Sequence, residues 1–374
     1  MTKTSFADNN QLEDYRIAMT IRQQTPMPAR PLPIVIIGAG GIVETAHLPA
    51  YRKAHFPVAG IFDLDANRAH ALAARTGIPR VYASIPELVE HAPAGAVFDI
   101  ATPASAFLPI LGQMPHGATV LLQKPMGETM EQATAIRDVC RRRRLTAAVN
   151  FQLRYAPNIL AARSLIEQGV IGEIYDLEVH INVYTPWHLW TFLNGIPRVE
   201  ILYHSVHYVD LIRSFLADPG SVWAHTAKQS KRPHIASTRT SIILRYGDSV
   251  RATINVNHDH EFGPRHQQSY VKWEGARGAI RTTLGLLMDY PKGVTDEFEY
   301  CVLEEGTPAS WVSVPLEGTW FPDGFSGCMA ALMCYAGGSS TTVPHSVEDA
   351  WRTMAVVEAA YQSSASQGTT VSYD

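Results

Sequence analysis

Between residues 34 and 150, short unbroken apolar runs alternate with longer stretches whose apolar positions recur every three or four residues. IVIIG from Ile34 has no polar alternation, the pattern of a parallel strand covered on both faces. A helical pattern from Ala46 to Ala54 leads to a second strand, VAGIFD, ending at Asp63. DLDANRAHALAARTG reads as a helix closed by Gly77, and VYASIPELVEH as a short strand and helix. AVFDIATP, a helix over 104–116, ATVLLQKP, a helix from Glu128 to Arg142 and LTAAVNF continue the alternation. Strand and helix in turn predict an open parallel sheet with helices on both faces, an α/β fold.

After Pro157 the period changes. NILAARSLIEQG is a helix, EIYDLEVHINVY alternates as a half-buried strand, and 237–246, 249–257, 268–275 and 278–283 are closely spaced strand candidates. Turns such as YGDS and EGARG predict antiparallel meanders, hence an α+β unit on a large open mixed or antiparallel sheet. Helices over 324–336 and 346–362 are expected to cover one side of that sheet, and SSASQGTTVSYD to add an edge strand. Ahead of the first strand, residues 10–23 form a helix candidate, and prolines 26, 28, 31 and 33 stiffen the linker behind it. This arm either stays loose or clasps a subunit.

At roughly 150 residues per domain, 374 residues accommodate two domains with their own cores. The chain has 31 basic and 35 acidic residues, a net charge of −4 with neutral histidines, and no long run of one sign, which argues against nucleic acid or an anionic membrane as partner. Arg141–Arg144 sits where a helix ends, where the dipole favours cations, and needs no ligand. Four cysteines with no CxxC pair and no bilayer-length apolar stretch place the chain in a reducing, cytoplasmic setting.

The chemistry starts at GAGGIV, 38–43, between a strand and a helix. Gly38 can make the tight turn, Gly40 lets backbone approach a pyrophosphate, and amides near Gly41 and Ile42 face the negative charge. Val43 occupies the third glycine position, where a small residue is usual for close helix packing. Asp63, ending the second strand, is placed to accept hydrogen bonds from the adenosine ribose, which favours NAD over NADP; Arg68 is the nearest cation for a 2′-phosphate. The plain alternative for Asp63 is a helix cap.

With GAGGIVETAHLPAY at 38–51, ATPAS at 101–105, VLLQKPMG at 120–127, NFQLRYAP at 150–157 and HSVHYVD at 204–210, the chain resembles the glucose-fructose oxidoreductase, inositol dehydrogenase and rhizopine-catabolism (Gfo/Idh/MocA) family over residues 32–374. The resemblance implies an arm over 1–30, a Rossmann dinucleotide-binding domain over 31–155, and a substrate-binding and oligomerisation domain over 156–374, assembled as a homodimer or homotetramer. It also implies oxidation or reduction of sugars and polyols. Lys124 matches the lysine of the family's E-K-P motif, with Gln123 in the acidic place, and His207 matches its histidine. Tyr203 stands where an aspartate usually precedes that histidine by one helical turn, and Asp210 lies three residues beyond it. Phe107 stands near where relatives often carry a histidine.

Removing hydride from a secondary alcohol of a sugar, polyol or sugar acid needs a base for the hydroxyl proton and polar groups around its oxygen. Lys124 is assigned to polarise the hydroxyl and His207 to take the proton, with Tyr203 sharing the pocket. Thr102 and Pro103, with Gln123 and Lys124, line the nicotinamide end. Arg154, Tyr155, Trp187, His188 and Trp190 are candidate contacts for a carbohydrate-like substrate. His258 and His260, with Glu261 and His266 nearby, have spacing permissive of a metal, but hydride transfer to NAD needs no Lewis acid and none is expected. Two other functions fit the same residues: an NAD-dependent glycosidase or lyase that oxidises its substrate transiently, and a nucleotide-dependent regulator in which Tyr203 and Gln123 mark lost catalysis.

Overall fold

The computed structural model describes residues 21–366 and 368–372. Most of the candidate helix over 10–23, and the first part of the arm, lie outside the described residues. Five short strands, β1 (Ile34–Ile37), β2 (Val58–Phe62), β3 (Val97–Ile100), β4 (Thr119–Leu122) and β5 (Thr146–Val149), form a parallel sheet in the order β2-β1-β3-β4-β5. The connections are α1 (Leu48–Lys53), entered through a π-helical turn at Val43–His47, then α2 (Ala66–Thr76), α3 (Ile85–His91), α4 (Phe107–Leu111) and α5 (Met130–Arg142). β1 and β3 are buried along their length, which is why their sequences carry no polar alternation. Asp65 caps α2, its carboxylate accepting from the Arg68 amide at 3.2 Å, and Gly77 closes it at φ +78. The cap is therefore Asp65, which leaves Asp63 to the end of β2.

α6 (Pro157–Glu167) leads into the second sheet, made of β6 (Ile174–Asn182), β7 (Ser221–Ala227), β8 (Arg239–Tyr246), β9 (Val250–Asn257), β10 (Gln268–Gly275), β11 (Gly278–Thr283), β12 (Phe298–Val302) and β13 (Trp311–Ser313). α7 (Val206–Leu216) lies between β6 and β7, and α8 (Phe325–Ala336) and α9 (Val347–Ala365) follow β13. The strand order is β13-β12-β11-β10-β6-β9-β8-β7, and β6 runs parallel to β9 while the other pairs are antiparallel. On β8 every second residue from Thr240 to Leu244 is buried, so one face meets the core and the other is open.

Three expectations change. α8 covers the parallel sheet and not the second one: Phe325, Met329 and Leu332 share an apolar cluster with Ile34, Ile36, Val97 and Leu121. The chain returns there because Ser346 bridges to Ala148 and the Val149 amide donates to the His345 carbonyl at 2.9 Å. Residues 368–372 form no strand, and the helix over 104–116 shortens to a 3₁₀ turn at Ala104–Ala106 plus α4, after which Gly112 and Pro115 intervene. The described part of the arm lies on its own chain. The Arg22 amide donates to Ser164 Oγ at 3.1 Å, and Gln23 exchanges hydrogen bonds with the Pro315 carbonyl and the Glu317 amide.

Candidate active site

The carboxyl ends of β1 to β4 lie along one edge of the parallel sheet, and β1 is where the chain switches direction across it, with β2 on one side and β3 on the other. Gly38 turns at φ +114, and a Cβ there would lie 2.6 Å from the Ala101 carbonyl oxygen, so only glycine lets the turn pass the end of β3 beside Thr102. Around Gly40 and Gly41 the space is open: a Cβ on either would meet no atom within 4 Å. Asp63 braces this cradle, accepting the Ala39 amide at 2.6 Å and the Asp65 amide at 2.8 Å. A bare turn backed by helix-start amides, with a carboxylate at the end of β2, fits a dinucleotide at that edge. Val43 is fully buried and begins the π-helical turn that carries Ile42 into α1.

Lys124 follows β4 at the same edge. Burial holds its pKa down to about 8, and its Nζ donates to the Tyr203 carbonyl at 2.6 Å, bringing the second lobe onto the parallel sheet's edge. Beneath it runs a buried polar chain. Asp99 Oδ2 accepts from the Tyr51 hydroxyl and from His47 Nδ1, both at 2.7 Å; His47 Nε2 accepts from Gln123 Nε2 at 3.2 Å; Gln123 Oε1 accepts the Lys124 amide at 2.8 Å. This gives the glutamine a reason: a carboxamide donates to His47 and accepts from Lys124 at once, whereas an ionised carboxylate only accepts.

His207, on α7, lies four residues beyond Tyr203, whose carbonyl takes Lys124 Nζ. Burial and the nearby Lys124 ammonium hold the imidazole well below its ordinary pKa, and its Nδ1 is buried without a hydrogen-bond partner. Tyr203 departs from the expected arrangement. It sits in a π-helical turn, Glu200–Ser205, so the one-turn spacing of a regular α-helix does not stack it under His207. Its hydroxyl donates to Glu128 at 3.3 Å and its ring packs on Phe192; only its carbonyl reaches Lys124.

The proposed substrate contacts divide. Arg154 is a correction: its guanidinium is buried and spends its donors inside the protein, two at 2.6 Å on Asp210, one at 2.5 Å on Asp349 and one at 2.7 Å on the Pro344 carbonyl. Asp210 is thereby committed away from His207. Tyr155 is also interior, its hydroxyl 2.6 Å from His345 Nδ1. Trp187 is buried, its indole lying edge-on to His204 and His258. His188 is exposed, and half-buried Trp190 packs on Tyr290. Past β9 the histidines part company. His258 Nδ1 meets Thr185 Oγ1 at 2.8 Å, His260 Nδ1 meets Asn182, Glu261 pairs with Arg232, and His266 is exposed. Among the described residues no three His, Cys, Asp or Glu side chains gather as a metal site would require.

Sequence reasoning missed His204, Glu200, His47, Asp99 and Glu128. His204 was within reach, since it lies three residues before His207 at a helix entry. The others find their partners only through folding.

Two family models match the chain: "Oxidoreductase family, NAD-binding Rossmann fold" over residues 32–151 and "GFO/IDH/MocA C-terminal domain" over 159–281. The chain is 24% identical to a D-apiose dehydrogenase of Rhizobium rhizogenes, over 82% of this chain and 88% of that protein. It is 28% identical to a D-glucoside 3-dehydrogenase of Escherichia coli over 41% of this chain and 44% of that protein. Among solved structures, it is similar in fold to an oxidoreductase from Agrobacterium radiobacter in complex with NAD+, L-tartaric acid and magnesium, with a TM-score of 0.74 at 20% identity, covering 91% of this chain and 98% of that one.

Proposed function

Because the chain belongs to the Gfo/Idh/MocA family of NAD-binding oxidoreductases, we propose that it is an NAD-dependent dehydrogenase acting on a secondary alcohol of a sugar, polyol or sugar acid. The observation that carries this reading is that Lys124 reaches the second lobe at the Tyr203 carbonyl, four residues before His207, at the edge where the Gly38–Gly40 turn and Asp63 form a cradle suited to a dinucleotide. Its sugar dehydrogenase relatives support the substrate class.

NAD+ supplies a hydride acceptor when bound; the chain's own groups handle the proton and the oxygen. Gly38, Gly40, Gly41 and Ile42 would hold the phosphate side, Asp63 the ribose, and Thr102, Pro103 and Gln123 the nicotinamide end. Lys124 as ammonium polarises the hydroxyl oxygen. His207, kept neutral by burial and by that ammonium, has a lone pair for the hydroxyl proton. The Gln123–His47–Asp99 chain fixes the peptide that carries Lys124. Chains pair through the second lobe as a homodimer or homotetramer. A carboxylate at the end of β2 disfavours a 2′-phosphate, so NAD is used in preference to NADP.

The test is NADH formation over a panel of cyclic polyols, aldoses, ketoses, sugar acids and lactones, with NAD+ and NADP+ run separately and Lys124→Ala as control. Lys124-dependent reduction of NAD+ by one sugar class is the expected result. Tight NAD+ binding with no net reduction across the panel overturns it and favours transient oxidation of the substrate.

A further inference from the structure

Behind Lys124 and His207 lies a second set of titratable groups that the mechanism above does not use. Glu200, in the π-helical turn ahead of α7, is fully buried. Its Oε1 accepts from Ser205 Oγ at 2.7 Å, while Oε2 has no partner. His258 Nε2 lies 3.6 Å from Glu200 Oε1 and is otherwise unpartnered, its other nitrogen meeting Thr185. The His204 and His258 rings are 4.5 Å apart, and buried His204 Nε2 also lacks a partner. Trp187 closes over both rings.

A carboxylate removed this completely from water is costly unless a cation or a proton answers it. The groups facing it are His258 at the end of β9, Tyr208 on α7 and Tyr361 on α9, and neither tyrosine brings positive charge. Arg232, in the loop between β7 and β8, is engaged by Asp259 and Glu261. His204 packs on His258 and directly follows Tyr203, whose carbonyl takes Lys124 Nζ at 2.6 Å, and it precedes His207 by three residues. The unpartnered atoms are thus on the groups that join the carboxylate to the reaction site.

We propose that Glu200, His258 and His204 form a proton store for the reaction: one proton sits on His258 against the Glu200 carboxylate, and His204 exchanges it with the Lys124–His207 pair. In reduction of a ketone, the carbonyl carbon gains hydride from reduced nicotinamide. Its oxygen then gains a proton through His207, which the store replaces by way of His204, leaving Glu200 ionised beside neutral His258. Oxidation runs the same bonds backward from the emptied state: with His258 neutral beside ionised Glu200, the alcohol O–H breaks and its proton passes through His207 and His204 to refill the store. All three are positioning residues, acting through Lys124 and His207. Their place in turnover rests on the dehydrogenase reading; the shared proton does not.

The test uses the full chain with 15N-labelled histidine, without cofactor. At neutral pH, NMR of the native protein is expected to show His258, assigned with His258→Asn, protonated on both nitrogens, and Glu200→Gln to return it to a neutral tautomer. A neutral His258 in the native chain overturns the proposal, whether or not any variant folds. The kinetic arm follows reduction of the ketone formed by whichever sugar the panel identifies. Glu200→Gln and His204→Phe are expected to slow it on the order of tenfold or more, with KM changing less, and free imidazole to restore the rate. Equal losses with no response to imidazole overturn the relay. A native chain inactive over the whole panel removes the dehydrogenase reading and with it the role in turnover, while the NMR result still decides the shared proton.

Discussion

Arg154→Met tests whether Arg154 is a structural ion and not a substrate contact. In the native chain Arg154 and Asp210 are each almost fully buried and joined by two hydrogen bonds of 2.6 Å. Methionine keeps most of the volume but leaves Asp210 with the Thr353 hydroxyl at 3.1 Å as its remaining side-chain partner. Asp349 still has Arg213 at 3.1 Å. Breaking one partner of a buried pair costs about 3–5 kcal/mol, because the other charge stays behind without its partner. With an unfolding entropy of roughly 2.1 cal/mol/K per residue over 374 residues, that corresponds to a melting temperature lower by about 4–6 °C. Thermal unfolding followed by tryptophan fluorescence reads this directly. The Arg154→Met, Asp210→Asn double variant is expected to regain part of the loss, since an amide tolerates burial better than a lone carboxylate. A single variant melting within about a degree of native, with KM for the sugar raised tenfold (1.4 kcal/mol), refutes the assignment and returns Arg154 to the substrate.

Three further outcomes follow from the site. Gly40→Ala is expected to leave the melting temperature nearly unchanged, because a Cβ there meets no atom within 4 Å, yet to weaken NAD+ binding by calorimetry; Gly38→Ala, at φ +114 and 2.6 Å from the Ala101 carbonyl oxygen, is expected to lower stability itself. If Lys124 acts as ammonium, kcat/KM for oxidation falls as pH rises through about 8, where it loses its proton, and the acid limb from His207 lies below the usual histidine range; Lys124→Arg, which does not titrate there, removes the alkaline limb even where the rate is lower. Tyr203→Phe loses one 3.3 Å hydrogen bond to Glu128 and should change kcat by no more than about threefold, whereas a hundredfold loss would place the hydroxyl on the proton path.

Local chemistry made much of the site legible. A glycine turn after an apolar strand, an aspartate at the next strand's end and a lysine after LLQ are all statements about neighbours in sequence, and the strands set them on one edge. Tyr203 shows where that logic fails: its four-residue spacing to His207 implies a shared face only if the helix is regular, and a π-helical turn intervenes. Arg154 fails differently, because its charge is answered by residues 56 and 195 positions away.

The sequence by itself determined the α/β order of elements, the dinucleotide turn and the family, since hydrophobic period, turn residues and motif spacing act over a few residues at a time. The tertiary structure alone decided that α8 returns to the parallel sheet and that Gln123 joins Lys124 to His47 and Asp99. It also decided that Glu200 meets His258 behind the reaction site. Those pairings depend on which groups lose water together, and burial of one polar group against another is set only when distant segments pack.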